Sequence, residues 1–212
     1  MRQYTLRSIL IIGFLAWYGG VVMVLSAGQN DLPAAVSIQE IPTQVAGELE
    51  YEVIVVNRTS EPVYVPTNTY RTNGSTGPYF SVREDDMTVL LVAWRFYSPP
   101  KFMMIIERAG AQLKLLPPNE STSMRFKVSF PLVETMPPYG DGHRRKVFDR
   151  AALRKIQAEI GVVPMIDGLQ QMIRSKQDGS GFHALSPAEN TESGKRIYEV
   201  QQLSYSEQVE LR

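Results

Sequence analysis

Cysteine is absent from this chain, histidine occurs twice, and the two signs of charge cancel, with 22 Lys plus Arg against 22 Asp plus Glu. Each shortage removes a class of function. Without cysteine there is no disulfide, no thiolate nucleophile and no Cys-based zinc site, so the fold must hold by burial alone; the same absence says nothing about compartment. Two histidines, His143 and His183, are too few for a multi-histidine metal centre, so acid-base chemistry would have to rest on carboxylates, Lys or Tyr. A net charge of zero supplies no long-range field for nucleic acid or an acidic substrate. Internal repeats are lacking as well, and 212 residues suffice for one sizeable domain plus a targeting segment.

Arg2 and Arg7 precede an uncharged run over residues 9–27, which as a helix would rise about 28 Å and match a bilayer core. The arginines before it and Asp31 after it predict a cytoplasmic N-terminus, with the rest of the chain outside. Ser26, Ala27 and Gly28 offer a cleavage site, whereas the length of the run and Trp17-Tyr18 within it suit an uncleaved anchor, so residues 1–28 are read as a signal peptide or a transmembrane anchor. Residues 29–35 form a linker, and residues 36–212 form the domain.

The domain is built from short β signals. In residues 48–65, Leu49, Tyr51, Val53 and Val55 alternate; Asn57, Thr59, Ser60, Glu61 and Pro62 make a polar corner; Val63 to Val65 resume a strand. Val36, Ile38 and Ile41 precede that run as an edge strand. Residues 67–78, dense in Asn, Gly, Ser and Thr, read as a surface loop. Strands follow at residues 79–82, 89–96 (apolar on both faces), 102–106 and 111–116. The cleanest alternation is Met124, Phe126, Val128 and Phe130 against Arg125, Lys127 and Ser129. At about 1.5 to 3 kcal/mol for each fully buried side chain, those four supply much of the driving force before entropy is set against it.

Beyond Leu132 the texture changes, and residues 133–195 read as a loop and helix insertion. Asp149 starts a helical turn to about Arg154; residues 156–163 fit either a helix (Leu153, Ile156, Ile160) or a strand (Ile156, Ala158, Ile160, Val162), and the strand is favoured because the fold needs one there. Met165, Leu169, Met172 and Ile173 have helical spacing, residues 177–195 form a long polar loop, and residues 196–211 form a last strand with a bulge near Gln201-Gln202. Loops of more than about 12 to 15 residues are usually functional or disordered, so this segment is the expected partner-binding surface.

Eight or nine short strands with turns between them predict a mainly β fold, an antiparallel sandwich in two sheets with small helical insertions. The corner at Asn57 to Val63, and Leu116-Pro117-Pro118-Asn119-Glu120 ahead of Met124 to Phe130, resemble the strand B to C corner and the Pro-containing turn before strand E of bacterial immunoglobulin-like domains, over roughly residues 36 to 132. The turn also resembles that of the bacillar intracellular proteinase inhibitors, in which a glycine usually stands where this chain has Asn119, and whose intracellular role conflicts with an export segment. These resemblances imply a fold and carry over no catalytic residue.

Constellations with chemical potential fare poorly. Asp178, Ser180 and His183 are the residue types of a hydrolytic triad, but Asp178-Gly179-Ser180-Gly181 is not a nucleophile elbow. Glu84, Asp85 and Asp86 lack the spacing of a calcium loop and read as a turn. His143 to Lys146, with Arg150, Arg154 and Lys155, read as a solvated face relieved by Asp141 and Asp149, with contact to anionic lipid or an envelope polymer as the competing reading. Asn57, Asn73 and Asn119 stand in N-x-[ST] sequons. Trp94, Phe96, Tyr97 and Phe102 read as core and rim aromatics, with a carbohydrate-stacking platform as the competing reading. No catalytic, cofactor-binding or metal-binding residue and no cofactor is expected. The chain reads as a non-enzymatic domain anchored in or exported across the membrane, meeting an envelope protein or polymer and no nucleic acid; the alternative is an exported hydrolase using carboxylates.

Overall fold

A computed structural model describes residues 32–43, 45, 47–70, 76–97, 112–135, 145–165, 168, 173–175, 182–185 and 197–212. The apolar run at 9–27, the expected strand at 102–106, Asn73, His143, Asp178 and Ser180 lie outside them. The described chain is mainly β, with several sheets. Its strands are β1 (Ala34–Ile41), β2 (Glu48–Asn57), β3 (Val63–Tyr70), β4 (Thr76–Gly77), β5 (Tyr79–Val82), β6 (Val89–Trp94), β7 (Gln112–Leu116), β8 (Ser121–Ser129), β9 (Leu132–Val133), β10 (Val147–Phe148), β11 (Lys155–Pro164), β12 (Ile173–Ser175), β13 (Phe182–Leu185), β14 (Gln202–Tyr205) and β15 (Val209–Glu210). A 3-10 turn spans Arg150–Ala152, and residues 197–200 are helical.

One sheet has the order β1-β2-β8, and β9 pairs with β10. The largest runs β12-β13-β7-β3-β11-β6-β5, with β14 and β15 on β11 and β4 on β3. Alternation explains the first. Along β8 Thr122, Met124, Phe126 and Val128 are buried and the residues between them exposed. Register sets Phe126 opposite Tyr51 and Met124 opposite Val53, with the Tyr51 and Phe126 rings stacked at 5.6 Å. On the wet face Lys127 reaches Glu48 at 2.9 Å and Arg125 reaches Glu52 at 3.3 Å. In the largest sheet, Leu90, Val92 and Trp94 of β6 and Ile156, Ala158, Ile160 and Val162 of β11 face the same core, and the Trp94 ring meets Phe126 edge-on at 5.4 Å. The inward faces of the two sheets thus share one apolar cluster.

A second, smaller cluster gathers Tyr64, Leu113, Val163 and Ile197, with Phe96, Leu115, Met165 and Val200 against it. The corner at Asn57 is tightly bonded: its main chain exchanges hydrogen bonds with Asn119 and Glu120, each 3.0 Å long, tying β2 to the turn before β8. Asn119 takes φ 63, the left-handed conformation that Gly and Asn tolerate best, which accounts for the residue type in that turn.

Several expectations need correction. The pairing is not purely antiparallel, because β6 and β11 run parallel from Lys155 opposite Val89 to Ile160 opposite Trp94, which only a long crossover permits. The fifteen described strands exceed the eight or nine counted, since two- to four-residue pairs leave no periodic signal. The loop expected at 67–78 is in part a ribbon, as β3 continues to Tyr70 and pairs with β4. Ile173, expected in a helix, belongs to β12, and the polar loop at 177–195 contains β13, which pairs with β7 and β12. Its neighbours' main-chain groups recruit β13, and composition does not record them. At the C-terminal end the expected strand begins as a helical turn: Ile197 and Val200, three residues apart, both enter the second cluster, so the helical period wins over the alternation of Tyr198 and Val200. The strand reading of residues 156–163 is the one observed.

Candidate functional site

The face of β11 that turns away from the main core carries Gln157 and Glu159, and both are buried despite their polarity. Register explains their company. Glu159 lies opposite Tyr205 of β14 and beside Ala93 of β6, so Arg95, two residues beyond Ala93, continues the same face of its strand. Arg83 enters from the turn after β5. Together with Ser81, Leu91 and Tyr97 these residues line a cleft of about 490 Å³ whose rim is Glu84 and Asp85.

Most polar groups on the floor of this cleft are held by another, while the Tyr97 hydroxyl is buried there without a hydrogen-bond partner. Glu159 lies 3.1 Å from Arg95 Nε, an ion pair without the linear geometry of a hydrogen bond, and it accepts a hydrogen bond from the Tyr205 hydroxyl. Burial raises the Glu159 carboxyl above the ordinary carboxylate range, with Arg95 and Tyr205 opposing the shift. The Arg95 guanidinium also covers the Tyr97 ring at 4.2 Å, while Tyr79 meets that ring edge-on at 5.2 Å. Burial pushes the Tyr97 hydroxyl up to about 12, so it stays protonated at physiological pH.

Gln157 is fixed at both ends: its Nε2 donates to Ser206 O and its Oε1 accepts from Arg83 Nη1, each at 2.8 Å. Arg83 then presents Nε and Nη2 together to Asp85, with Nε to Oδ1 at 2.8 Å. Asp86 closes the turn, accepting from Thr88 N at 3.0 Å and Thr88 Oγ1 at 2.7 Å. Both carboxyls are held below the ordinary range, Asp85 by Arg83 and Asp86 by Thr88. Glu84 to Asp86 are therefore a hairpin turn that also forms a wall of the cleft.

A further device sets the end of β6. Gln201 bonds both main-chain groups of Phe96, accepting from its N at 3.1 Å and donating to its O at 2.6 Å, and so extends the strand toward Tyr97. It passes over Gly161, where an added Cβ would collide with Gln201 Oε1 and come within 2.9 Å of Arg95 Cβ. Gly161, with no side chain, supplies this passage.

The other sequence candidates do not converge here. His183 sits in β13 opposite Leu113, and its would-be triad partners lie outside the described residues. Arg145 and Lys146 are exposed, Arg150 turns toward the main chain at Leu153 and Leu211, and His143 and Arg144 lie outside the described residues. Asn57 is fully buried with its amide bonded, which closes that sequon in the folded chain, while Asn119 is exposed. Trp94 is core. Arg95 covers one face of the Tyr97 ring and Tyr79 meets the ring at right angles, so that face is closed to a stacking ligand. Among the described residues no group of three acidic or histidine side chains is arranged to hold a metal, and no helix is long and apolar enough to cross a membrane. Arg83, Arg95, Gln157, Glu159 and Tyr205 were missed, although polar Gln157 and Glu159 alternating with Ile156, Ala158 and Ile160 is a readable signal once that segment is taken as a strand.

No family model, no curated protein and no solved structure matches the chain.

Proposed function

We propose that this chain is a non-enzymatic binding domain of the cell envelope, an immunoglobulin-like β-sandwich tethered through its N-terminal apolar segment or released by cleavage of it, which meets an envelope protein or polymer through the cleft. The strand order supports the architecture. The order β1-β2-β8 corresponds to A-B-E of such a sandwich, and β11 pairs with β14 and, at Val163 and Pro164, with β3, as F pairs with G and C, although β6 also lies parallel to β11 from Lys155 to Ile160. The strand before β8, β7, joins β3 instead of the first sheet, and β5 and β6 add to it.

The observation that carries a binding role is the state of Glu159. A hydrolytic carboxylate needs a free oxygen facing substrate and a second acid or base at a set distance. Here the one interior carboxylate of the cleft is already engaged by Arg95 and Tyr205, and the rim carboxylate of Asp85 is engaged by Arg83. Carboxylates held by their own cations shape a binding surface and are not free bases for hydrolysis. The raised affinity of Glu159 for a proton favours the hydrolase reading to this extent: a protonated Glu159 would be a potential general acid, if a substrate displaced Arg95.

The lack of native cysteine makes the test direct. Glu84→Cys at the rim and Ser123→Cys on the outer face of β8 each introduce a single thiol. In intact cells a membrane-impermeant maleimide should label both, and a photocrosslinker on residue 84 should capture an envelope component that the one on residue 123 does not. Protection of both thiols until lysis would sink the location; equal capture from both positions, or capture from 123 alone, would sink the role of the cleft.

A further inference from the structure

Arg83 is oriented from the interior and engaged from the exterior. Buried Gln157, itself fixed by Ser206 O, holds Nη1 at 2.8 Å, which leaves Nε and Nη2 facing outward as a two-pronged donor. Such a fork matches a carboxylate in one plane and loses little freedom on binding one. At present Asp85 fills it from a turn, with a side chain 67% exposed. Because the Asp85 side chain is exposed and comes from a turn, a ligand carboxylate can compete for the same two donors. The geometry points to Asp85 as a stand-in for the carboxylate of a ligand.

The charges of the cleft narrow the ligand further. Arg95 is committed to Glu159 and Arg83 to Asp85, while Glu84 has no ion-pair partner among the described residues, so three carboxylates face two guanidiniums. If a ligand carboxylate takes Arg83, Asp85 is released beside Glu84 with no cation between them. A purely anionic ligand would crowd like charges at the rim. A ligand carrying an ammonium a few ångströms from its carboxylate restores the balance, since the freed Asp85 and Glu84 receive it. The cleft volume of about 490 Å³ lies in the range of small-molecule sites and accommodates a dipeptide. Leu91 and Val82 give its side chains an apolar wall.

We propose that the cleft takes a zwitterion of amino-acid to dipeptide size, its carboxylate on Arg83 and its ammonium on Asp85 and Glu84. This deepens the binding role proposed above and rests on it. The test titrates the full chain in detergent with Ala-Ala, N-acetyl-Ala-Ala and Ala-Ala-amide, read by calorimetry. Ala-Ala should bind, and each blocked form should bind at least about tenfold more weakly, the loss of one charge-assisted contact. Arg83→Gln should abolish binding while the chain still unfolds cooperatively, at a somewhat lower midpoint because Gln157 loses a donor, and Asp85→Asn should narrow the gap between Ala-Ala and its acetylated form, since one receiver of the ammonium is gone and the competitor for Arg83 with it. Equal affinity for all three compounds, undiminished binding by Arg83→Gln, or no saturable binding of Ala-Ala overturns the inference. Capture by residue 84 in envelopes without dipeptide binding leaves the binding role standing and removes this ligand; dipeptide binding without capture does the reverse.

Discussion

Replacing Asn57 tests the corner that joins β2, β3 and the turn before β8. Its side chain is fully buried and donates to Glu61 O at 2.8 Å and to Leu116 O at 2.9 Å, while Oδ1 accepts from Thr59 N at 2.9 Å. The Thr59 hydroxyl lies near both Asn57 Oδ1 and Glu61 O, at 2.8 and 2.6 Å, but has one proton and serves one of them at a time. Three bonds therefore depend on Asn57 alone. At roughly 1 kcal/mol net each, Asn57→Ala should cost about 3 kcal/mol, a large share of the roughly 5 to 15 kcal/mol that holds a typical domain. At about 2 to 4 °C per kcal/mol for a domain of this size, the melting midpoint should fall by roughly 6 to 12 °C. Asn57→Asp is the sharper variant. It keeps the acceptor for Thr59 N but turns an ionised oxygen toward the carbonyls of Glu61 and Leu116, so at neutral pH it should be worse than Ala. Its folded-state pKa would be raised, so stability should return as pH falls and the carboxyl regains a proton to donate. Urea unfolding followed by tryptophan fluorescence, with Trp94 buried in the core, reads both. A loss below about 0.5 kcal/mol for Asn57→Ala, the range of ordinary surface changes, would refute the argument.

Two further outcomes follow from the cleft. Gly161→Ala should destabilise the chain by about 1 to 3 kcal/mol by pushing Gln201 off Phe96, and adding Gln201→Ala should recover part of that loss in a double-mutant cycle of unfolding energies; strict additivity would refute the coupling. For Glu159 the folded-state carboxyl is raised above 4.5, so the folded chain binds a proton before the unfolded chain does. Wild type should then gain stability relative to Glu159→Gln as pH falls from neutral toward 4.5, and the gain should level off below that value; a difference independent of pH across this window would refute the raised carboxyl, because Arg95 and Tyr205 would then offset the burial in full.

Strand periodicity carried much of the chain. The alternation of Met124, Phe126 and Val128, the run Tyr51-Val53-Val55 and the two-faced strand at Val89–Trp94 were legible because each side chain's fate follows from a period of two, whatever its partner. The corner at Asn57 and the turn at Asn119 were legible because their chemistry is local. Partnership was not. That β6 would lie parallel to β11, and that β13 would be drawn out of a polar loop onto β7, depends on main-chain groups far away in sequence, which leave no trace in the composition of the segment itself. The cleft belongs to the same category: Arg83, Arg95, Glu159 and Tyr205 are ordinary polar residues in their own segments. Only the register of three strands, and the room that Gly161 leaves for Gln201, brings them onto one face, where burial and proximity give them properties that none has alone.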